Sequence, residues 1–518
     1  MNALLLYPEF PDTFWSFKHA MKFISKAAAN PPLGLITVAA MLPTDWNLRL
    51  IDMNVSKVNK KDWEWADLVL ISAMTIQRKS VTELITKCKY HGKLIIAGGP
   101  LFTSEFESFP DVDHFVLNEA EITLPKFLED LSNNSAKRVY QTDLYPEIRS
   151  TPVPRFDLLK MDKYDAMSLQ YSRGCPYNCD FCNVTALFGH SPRIKSAQQV
   201  ITELDALYES GWRRNIFFVD DNFIGNKRQI KNEILPALIN WRKNKTGCLF
   251  ITEVSINLSD DPELLSLMSA AGFISVFIGI ETPSENGLTE CHKTQNIKRD
   301  MISSVHKIQS NGIQVMAGFI IGFDTDEASI FQSQFDFIQE SGIITAMVGL
   351  LQAPFGTKLY ERMKADGRIL EEMTGDNADG TTNIRTIMDP QLLAEGYRKL
   401  MKELYSPKPF YNRLRSFLTH FNPSTKPVTI HIAELGAFLK TVWFMGIAGP
   451  DRFEYWSLLW DVITTMPNKF AVAVTLTVYG YHFRRVANLH LGHSRSSESL
   501  VISLDTGSKR NSFEKVHI

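Results

Sequence analysis

The chain lacks an excess of charge of either sign. Its 55 basic and 57 acidic residues leave a net charge of −2, which does not favour a nucleic-acid partner. A secretion signal is also missing, because Met1–Tyr7 has no basic residue and Pro8 ends the apolar run. The longest uncharged stretch near the C-terminus, Phe470–Phe483, is shorter than the roughly 20 residues that cross a bilayer. We therefore expect a cytoplasmic protein.

Cysteine is scarce, with six residues in a chain of 518. Cys88, Cys248 and Cys291 are scattered and share no ligand spacing, so they form no disulfide framework and read as small buried apolar residues. The other three cysteines fall within one short segment, which indicates a metal or cluster site.

The chain is too long for one core, and the order of its segments predicts an α/β protein of several domains. In residues 1–150, apolar runs alternate with helical patterns, which predicts a parallel, doubly wound, Rossmann-like sheet. The predicted strands are Ala3–Tyr7, Leu48–Ile51, Leu68–Ser72, Leu94–Ala97 and His114–Leu117, and the predicted helices are Leu33–Leu42, Val81–Lys89 and Thr123–Leu131. The stretch Ser150–Phe156, with two prolines, reads as a linker.

The alternation repeats in residues 151–390, where six βα steps predict an open, partial (β/α)6 barrel. Its predicted strands are Ala166–Tyr171, Ile216–Val219, Leu249–Val254, Ser275–Ile280, Gln314–Ile321 and Ala346–Leu351. Residues 391–490 read as a mainly helical domain. Residues 491–518 read as a polar, frayed tail.

The clustered cysteines form the loop Cys175-Pro-Tyr-Asn-Cys179-Asp-Phe-Cys182, after the first strand of the second sheet. Three thiolates on one loop can ligate three irons of a 4Fe–4S cluster and leave the fourth iron open. Gly174 would let the backbone pass close to the cluster. The alternatives are structural thiols or a zinc site, for which His190 is the nearest fourth ligand at a spacing typical of no common zinc motif.

Small and polar residues also follow the strands of the first sheet. Gly98 and Gly99 follow one strand, Ser72 ends another, and Asn30-Pro-Pro-Leu-Gly34 precedes the first helix. Glycines at such an edge admit a large planar or phosphate-bearing ligand. A nicotinamide site is disfavoured because no G-x-G-x-x-G follows a strand. The alternative is a sheet that binds nothing and supports the barrel.

The C-x3-C-x2-C loop resembles that of the radical S-adenosylmethionine (SAM) superfamily, and the resemblance extends over residues 160–390. It implies that the open iron binds SAM, whose cleavage yields a 5′-deoxyadenosyl radical. It also implies SAM contacts at the strand ends and from the loop, namely Phe181, Asp220, Asp221, Glu253, Ser255, Glu281, Gly318 and Gly322. The alternative for an acidic pair such as Asp220-Asp221 is a helix N-cap or a solvated turn.

The first sheet resembles the cobalamin-binding domains that are fused to many radical SAM enzymes. The resemblance implies that Asn30, Gly34, Ser72, Gly98 and Gly99 contact cobalamin. The usual D-x-H-x-x-G motif would supply a histidine below the cobalt, but the matching place reads Asp52-Met53-Asn54. We therefore expect cobalamin to bind without a histidine ligand.

As a whole, the chain resembles cobalamin-dependent radical SAM proteins with an uncharacterised C-terminal domain, of which the hopanoid C-2 methylases are the best known. The resemblance implies a methyltransferase that acts on an unactivated carbon of a hopanoid or another apolar molecule. One SAM would methylate cobalamin, and another would supply the hydrogen-abstracting radical. Beyond the cluster ligands, no catalytic residue is assigned, and a reductase, flavodoxin or ferredoxin would supply electrons. A non-methylating enzyme (an oxidative cyclase or a ring-rearranging enzyme) and a cofactor sensor are the alternatives.

The C-terminal region carries a concentration of aromatic residues that bears on the substrate. Trp443, Phe444, Phe453, Tyr455, Trp456 and Trp460 fall within a short span, and Arg484 and Arg485 follow the apolar run. Such a stretch predicts either buried helices or an interfacial helix or lid that meets a lipid. The second interpretation adds a peripheral membrane contact to the expected cytoplasmic location.

Overall fold

The computed structural model describes residues 1–423 and 432–493. Its first part is a parallel six-stranded sheet in the order β2-β1-β3-β4-β5-β6. The strands are β1 (Asn2–Tyr7), β2 (Asn47–Asp52), β3 (Leu68–Ser72), β4 (Leu94–Gly98), β5 (His114–Val116) and β6 (Val139–Tyr140). The helices are α1 (Lys18–Met21), α2 (Leu33–Met41), α3 (Lys60–Trp65), α4 (Arg78–Tyr90), α5 (Pro100–Glu105) and α6 (Ala120–Ser132).

Both faces of this sheet are buried. Along β1, Leu4 and Leu6 pack into an apolar cluster on one face, whereas Ala3 and Leu5 pack into a separate cluster on the other. A parallel sheet covered by helices on both sides needs strands that are apolar throughout, which is the pattern of β1, β3 and β4. The predicted doubly wound fold is confirmed.

The second part is a parallel six-stranded sheet in the order β7-β10-β11-β12-β13-β14, with a two-stranded antiparallel ribbon, β8–β9, beside it. The strands are β7 (Met167–Leu169), β8 (Ser172–Arg173), β9 (Arg193–Ile194), β10 (Ile216–Phe218), β11 (Phe250–Glu253), β12 (Phe273–Glu281), β13 (Gln314–Ile321) and β14 (Ala346–Leu350). The helices are α7 (Val184–Phe188), α8 (Ala197–Glu209), α9 (Lys227–Gln229), α10 (Leu235–Arg242), α11 (Pro262–Ala271), α12 (Glu285–Glu290), α13 (Met301–Ser310), α14 (Ile330–Ser341) and α15 (Lys358–Ala365). The predicted partial barrel is confirmed.

The C-terminal part is helical, as predicted. Its helices are α16 (Pro390–Leu404), α17 (Pro407–His420), α18 (Ile432–Thr441), α19 (Arg452–Thr465) and α20 (Phe470–His493), and a π-helical segment, Val442–Ile447, continues α18. The N-terminal segment packs on α20, where Phe14 and Phe483 stack at a centroid distance of 4.1 Å. None of the helices within the described residues combines the length and apolarity of a membrane span.

The structure adds elements that the sequence patterns did not indicate. Helices α3 and α5 and strand β6 were not predicted, because each is six residues or shorter and too brief to show periodicity. The predicted linker Ser150–Phe156 runs between 3₁₀ turns at Ile148–Ser150 and Phe156–Leu158. Most of the predicted tail lies outside the described residues, and the domain boundaries stay a prediction.

Replacing Gly480 by Ala should destabilise the protein. Gly480 is buried in α20, and a Cβ there would overlap the Phe410 ring of α17. Overpacking lowers the free energy of unfolding by about 1–3 kcal/mol, whereas the better helix propensity of alanine raises it by about 1 kcal/mol, so the net effect is a loss. Gly436 in α18 is the matched control, since a Cβ there meets nothing within 4 Å. The apparent unfolding temperature should fall for Gly480→Ala and hold or rise for Gly436→Ala; equal shifts would contradict the packing argument.

Candidate active site at the facing sheet edges

The carboxyl ends of the two sheets face one another across a cavity of about 740 Å³. Ser72, Gly98 and Gly99 line it from the first sheet, and Gln170 and Asp221 line it from the barrel. In α/β sheets, ligands bind at this end of the strands. A ligand bound at the carboxyl end of either sheet would therefore have access to this cavity.

The cysteine loop leaves the ribbon β8–β9 through Gly174, whose φ of +91° lies in the left-handed region. A Cβ at Gly174 would lie 2.9 Å from the Gly189 carbonyl oxygen and 3.0 Å from that of Phe188. A glycine is thus required where two backbone segments cross, and the approach of this backbone to a cluster stays a prediction. This crossing fixes the direction in which the loop enters the site.

The donor set of the loop fits an iron–sulfur cluster. Cys175, Cys179 and Cys182 are free thiols. Burial raises the pKa of all three, that of Cys182 to about 12. Buried thiolates need a cationic partner, and a cluster supplies one. His190, the candidate fourth ligand of a zinc site, is exposed.

A lysine that the sequence analysis missed lies beside the cysteine loop. The Lys293 Nζ donates to Glu281 Oε1 at 2.6 Å and lies 5.9 Å from the centroid of the Phe181 ring. Glu281 adopts a φ of +66°, and a Cβ at Gly279 would collide with both members of the pair. Only a glycine at position 279 leaves room for this ion pair. Gly279 was therefore the one feature of the sequence that could have indicated the pair.

The acidic pair that follows β10 divides into two environments. Asp220 is fully buried, and its carboxylate accepts hydrogen bonds from Tyr171 N (3.1 Å) and from Ser172 N and Oγ. It therefore anchors the backbone that leads into the cysteine loop, and its SAM contact stays a prediction. Asp221 lines the cavity between the two sheets (the main cavity), and burial raises the pKa of its carboxyl to about 6.

Two more candidates lie at the end of β11: Glu253 is its last residue, and Ser255 follows it. Burial, with the charges of Asp221 and Asp220, raises the pKa of Glu253 to about 8, and no hydrogen bond of its carboxylate is found among the described residues. Ser255 Oγ donates to Asn257 Oδ1 at 2.8 Å, and Asn257 Nδ2 donates to the Tyr177 hydroxyl at 2.7 Å. Tyr177 thereby ties the cysteine loop to this strand end, while Glu253 keeps its acceptors free for a ligand.

The glycines of β13 have structural neighbours. A Cβ at Gly318 would lie 2.9 Å from the Phe277 ring, and Gly322, at φ +108°, donates its N–H to Asp326 Oδ2 at 2.8 Å. Neither glycine lines the main cavity. The structure thus brings Asp221 to the main cavity, and the SAM contacts of all eight candidates, Asp221 included, stay predictions.

All five cobalamin candidates line the same cavity: Asn30, Gly34, Ser72, Gly98 and Gly99. A Cβ at Gly99, where φ is +90°, would lie 2.7 Å from Ser72 Oγ, and one at Gly98 would lie 2.6 Å from Val116 O. By contrast, a Cβ at Gly34 would meet nothing within 4 Å, so this part of the rim is open. The clustering of these loops fits a large planar ligand.

The loop that would carry a lower cobalt ligand is closed by its own hydrogen bonds. Asp52 Oδ1 accepts from the backbone and side-chain nitrogens of Asn54, and its Oδ2 accepts from the Tyr164 hydroxyl at 2.8 Å. Asn54 also accepts from Phe10 N and lines the cavity. No histidine is among the described residues that line it.

Buried ion pairs join the two sheets directly at the cavity. Glu119, which is 5% exposed and precedes α6, accepts from Arg173 Nη1 at 2.7 Å and from Arg193 Nη1 and Nη2 at 2.8 and 2.6 Å. Arg173 also pairs with Glu121 at 2.8 Å. Because Arg173 and Arg193 form the ribbon that carries the cysteine loop, this network couples the loop to the first sheet.

Three family profiles match the chain in succession. The B12 binding domain matches residues 25–128, the radical SAM superfamily matches residues 169–332, and a domain of unknown function (DUF4070) matches residues 357–495. The first two profiles coincide with the two sheets whose edges form the cavity.

Relatives match over nearly the whole length. The chain is 40% identical over 491 residues to an uncharacterized methyltransferase of Synechocystis sp., covering 93% of this chain and 91% of the relative. It is 32% identical over 470 residues to the hopanoid C-2 methylase of Rhodopseudomonas palustris, covering 88% of each.

Solved structures support the same fold at low identity. The cobalamin-dependent S-adenosylmethionine radical enzyme OxsB gives a TM-score of 0.60 at 16% identity, covering 97% of this chain and 81% of that one. The radical S-adenosylmethionine methyltransferase TsrM of Kitasatospora setae gives 0.56 at 14% identity, covering 92% and 99%. With the relatives and the profiles, these findings place the chain in the family of cobalamin-dependent radical SAM methyltransferases, whose cofactors are a 4Fe–4S cluster, SAM and cobalamin.

Proposed function

We propose that the protein transfers a methyl group to an unactivated carbon of an apolar molecule of the hopanoid class. The observation that carries the proposal is a cavity onto which the carboxyl ends of both sheets open. Its lining is mostly apolar, with residues such as Leu33, Val38 and Ile71, and suits a hydrocarbon better than a charged substrate. The hopanoid C-2 methylase among the relatives supports the substrate class.

In this proposal the cofactors are held by the residues predicted from the sequence. Cys175, Cys179 and Cys182 ligate the cluster. SAM would lie against the residues predicted for it: Phe181, Asp220, Asp221, Glu253, Ser255, Glu281, Gly318 and Gly322. Cobalamin lies on Asn30, Gly34, Ser72, Gly98 and Gly99. When bound, the cluster and SAM supply a hydrogen-abstracting radical, and cobalamin carries the methyl group.

The chain's own side chains act by position and charge. Asp221 and Glu253 have acceptor oxygens for the SAM ammonium group, and Asp220 holds the backbone ahead of Cys175 through Ser172. Lys293 and Glu281 form an ion pair that supports the loop near Cys179. The apolar lining excludes water from the reacting carbon. A flavodoxin, a ferredoxin or a reductase supplies the electrons.

A labelled methyl group tests the reaction. The anaerobically reconstituted, cobalamin-loaded protein is incubated with SAM that carries a trideuterated methyl group, a reductant and a total lipid extract. We expect the deuterated methyl group in a pentacyclic lipid by mass spectrometry. Formation of 5′-deoxyadenosine without label in any product would contradict methyl transfer and favour a cyclase or a rearrangement, and absence of both products would favour a sensor.

Replacing Cys179 by Ala should remove most of the iron and acid-labile sulfide that the protein binds, because a cubane held by two thiolates loses a third of its protein ligands. Cys248→Ala is the matched control, since Cys248 is also buried but lies outside the loop. Iron, sulfide and visible absorbance are measured after anaerobic reconstitution. Iron content equal to that of the unaltered chain in Cys179→Ala would refute the assignment.

Replacing Glu253 by Gln should stabilise the cofactor-free protein at high pH. The raised pKa of about 8 means that the folded chain binds a proton that the unfolded chain releases near pH 4, so Glu253 lowers stability as pH rises from about 4 to 8. The variant should unfold at a higher apparent temperature than the unaltered chain above pH 8, and at the same temperature near pH 4.

The exposed residue Glu361 gives the control for this experiment, and Glu361→Gln should show no such pH-dependent gain. The proposal also requires Glu253→Gln to bind SAM more weakly, measured by equilibrium dialysis. Unchanged SAM affinity would remove Glu253 from the site.

A further inference from the structure

Two helical segments of the C-terminal part present exposed apolar stripes. On α18 and its π-helical continuation, the stripe is Leu435, Leu439, Trp443 and Ile447, spaced by four residues. On α19, it is Phe453, Trp456, Trp460 and Ile463, spaced by three or four. Phe453 is 76% exposed and Trp460 is 71% exposed. Such spacing places each set on one side of its helix.

The two stripes adjoin and form one surface. Trp456 Nε1 donates to the Gly446 carbonyl at 2.9 Å, and a Cβ at Gly446 would lie 3.1 Å from the Trp456 ring. The opposite side of α19 is apolar too and packs inside through Tyr455, Leu458, Leu459 and Val462. A helix with two apolar sides, one of them exposed, indicates a partner for the outer one.

The charges around this surface favour an anionic partner. The two acids of α19, Glu454 and Asp461, pair with Arg415 at 3.8 and 2.8 Å. The third charged residue of α19, Arg452, has no carboxylate partner among the described residues and lies 5.0 Å from the Phe453 ring centroid. The positive charge therefore stays at the edge of the apolar surface while the negative charges are neutralised.

A second cavity, of about 420 Å³, opens beside the same helices and contains more cationic groups. It is bordered by Phe444, by residues 448–450 of the turn between the two helices, and by His19, Arg484 and Arg485. Arg484 is held by Asp451 at 3.0 Å. Arg485 donates to the Tyr481 hydroxyl at 3.1 Å and pairs with no carboxylate among the described residues. An anionic headgroup of lipid size has a place here.

We propose that the surface formed by Leu435, Leu439, Trp443, Ile447, Phe453, Trp456, Trp460 and Ile463 docks on an anionic phospholipid bilayer. The indole and phenyl rings enter the interfacial zone, where aromatic side chains are most favourable, and Arg452 and Arg485 meet lipid phosphates. The proposal goes beyond the proposed function, because docking on a bilayer requires neither a cofactor nor methyl transfer.

One segment connects this surface with the main cavity. Lys440, at the end of α18, donates to the carbonyls of Lys22 and Phe23 at 2.9 and 3.2 Å, and the rings of Phe23 and Phe444 lie 5.7 Å apart. On either side of this contact, Thr13–Lys18 and Ala27–Asn30 contribute to the lining of the main cavity. A lipid-dissolved substrate that leaves the bilayer at this surface would therefore meet the segment that borders the active site.

Vesicle sedimentation with the full-length protein tests the proposal. We expect sedimentation with vesicles of phosphatidylglycerol and phosphatidylcholine, and weaker binding to phosphatidylcholine alone. Phe453→Ser and Trp460→Ser should each weaken binding about tenfold, because each variant loses one large apolar side chain that binding would transfer from water into the bilayer. Arg485→Ala should weaken binding to the anionic vesicles only. Tyr90→Ser, at an 85% exposed aromatic residue of α4, is the matched control and should bind as the unaltered chain does.

Four outcomes would overturn the proposal. The unaltered protein could stay in the supernatant with both vesicle types, or Tyr90→Ser could lose as much binding as Trp460→Ser. Light scattering could also find a dimer that Trp460→Ser converts to a monomer, which would assign the surface to a second copy of the chain. Inorganic phosphate at millimolar concentration, added as a competitor, separates a headgroup from a free anion: displacement of the vesicles by phosphate alone would refute a role for the apolar surface. The labelled-methyl experiment is unaffected by any of these results.

Discussion

The relative position of the two sheets depends on one buried carboxylate. Glu119 lies at the edge of the first sheet and receives N–H groups from Arg173 and Arg193, the two arginines of the ribbon that carries the cysteine loop. Removal of one partner from such a buried pair costs about 3–5 kcal/mol, because the remaining charge is left without compensation. The cysteine loop can therefore not shift far from the carboxyl edge of the first sheet without breaking this network.

Around this fixed frame, the site keeps several groups in unfavourable states. Glu281 adopts a left-handed backbone conformation, and the pKa values of Asp220, Asp221 and Glu253 are all raised, chiefly by burial. A structure that maximised stability would remove these carboxyls or expose them. Their retention side by side at the ends of β10 and β11 is understandable if a cation is bound there, since a positive charge would relieve the burial of all three.

The sequence was most informative where a chemical requirement is local. The cysteine spacing, the glycines after β4 and the alternation of strands and helices each follow from residues close together in the chain, and the fold predicted from them is confirmed. Contacts between residues farther apart in the chain left little or no such signal. The Lys293–Glu281 pair was indicated only by Gly279, which leaves room for it. Glu119 lies 54 and 74 positions before its partners Arg173 and Arg193, and no local pattern indicated that network. Gly174 was singled out for its place before Cys175, but its close contact with the backbone of Phe188 and Gly189 is a long-range feature that the sequence did not indicate.

The C-terminal helices pack directly against the N-terminal segment that borders the main cavity. Phe14 stacks on Phe483 of α20, and the buried ring of His482 shares a hydrogen bond with the Phe14 carbonyl at 2.9 Å. These contacts hold the start of the segment that lines the main cavity, and Lys440 of α18 holds its middle. A change in α18 to α20 would thus displace the segment that contributes Thr13–Lys18 and Ala27–Asn30 to the lining of the main cavity.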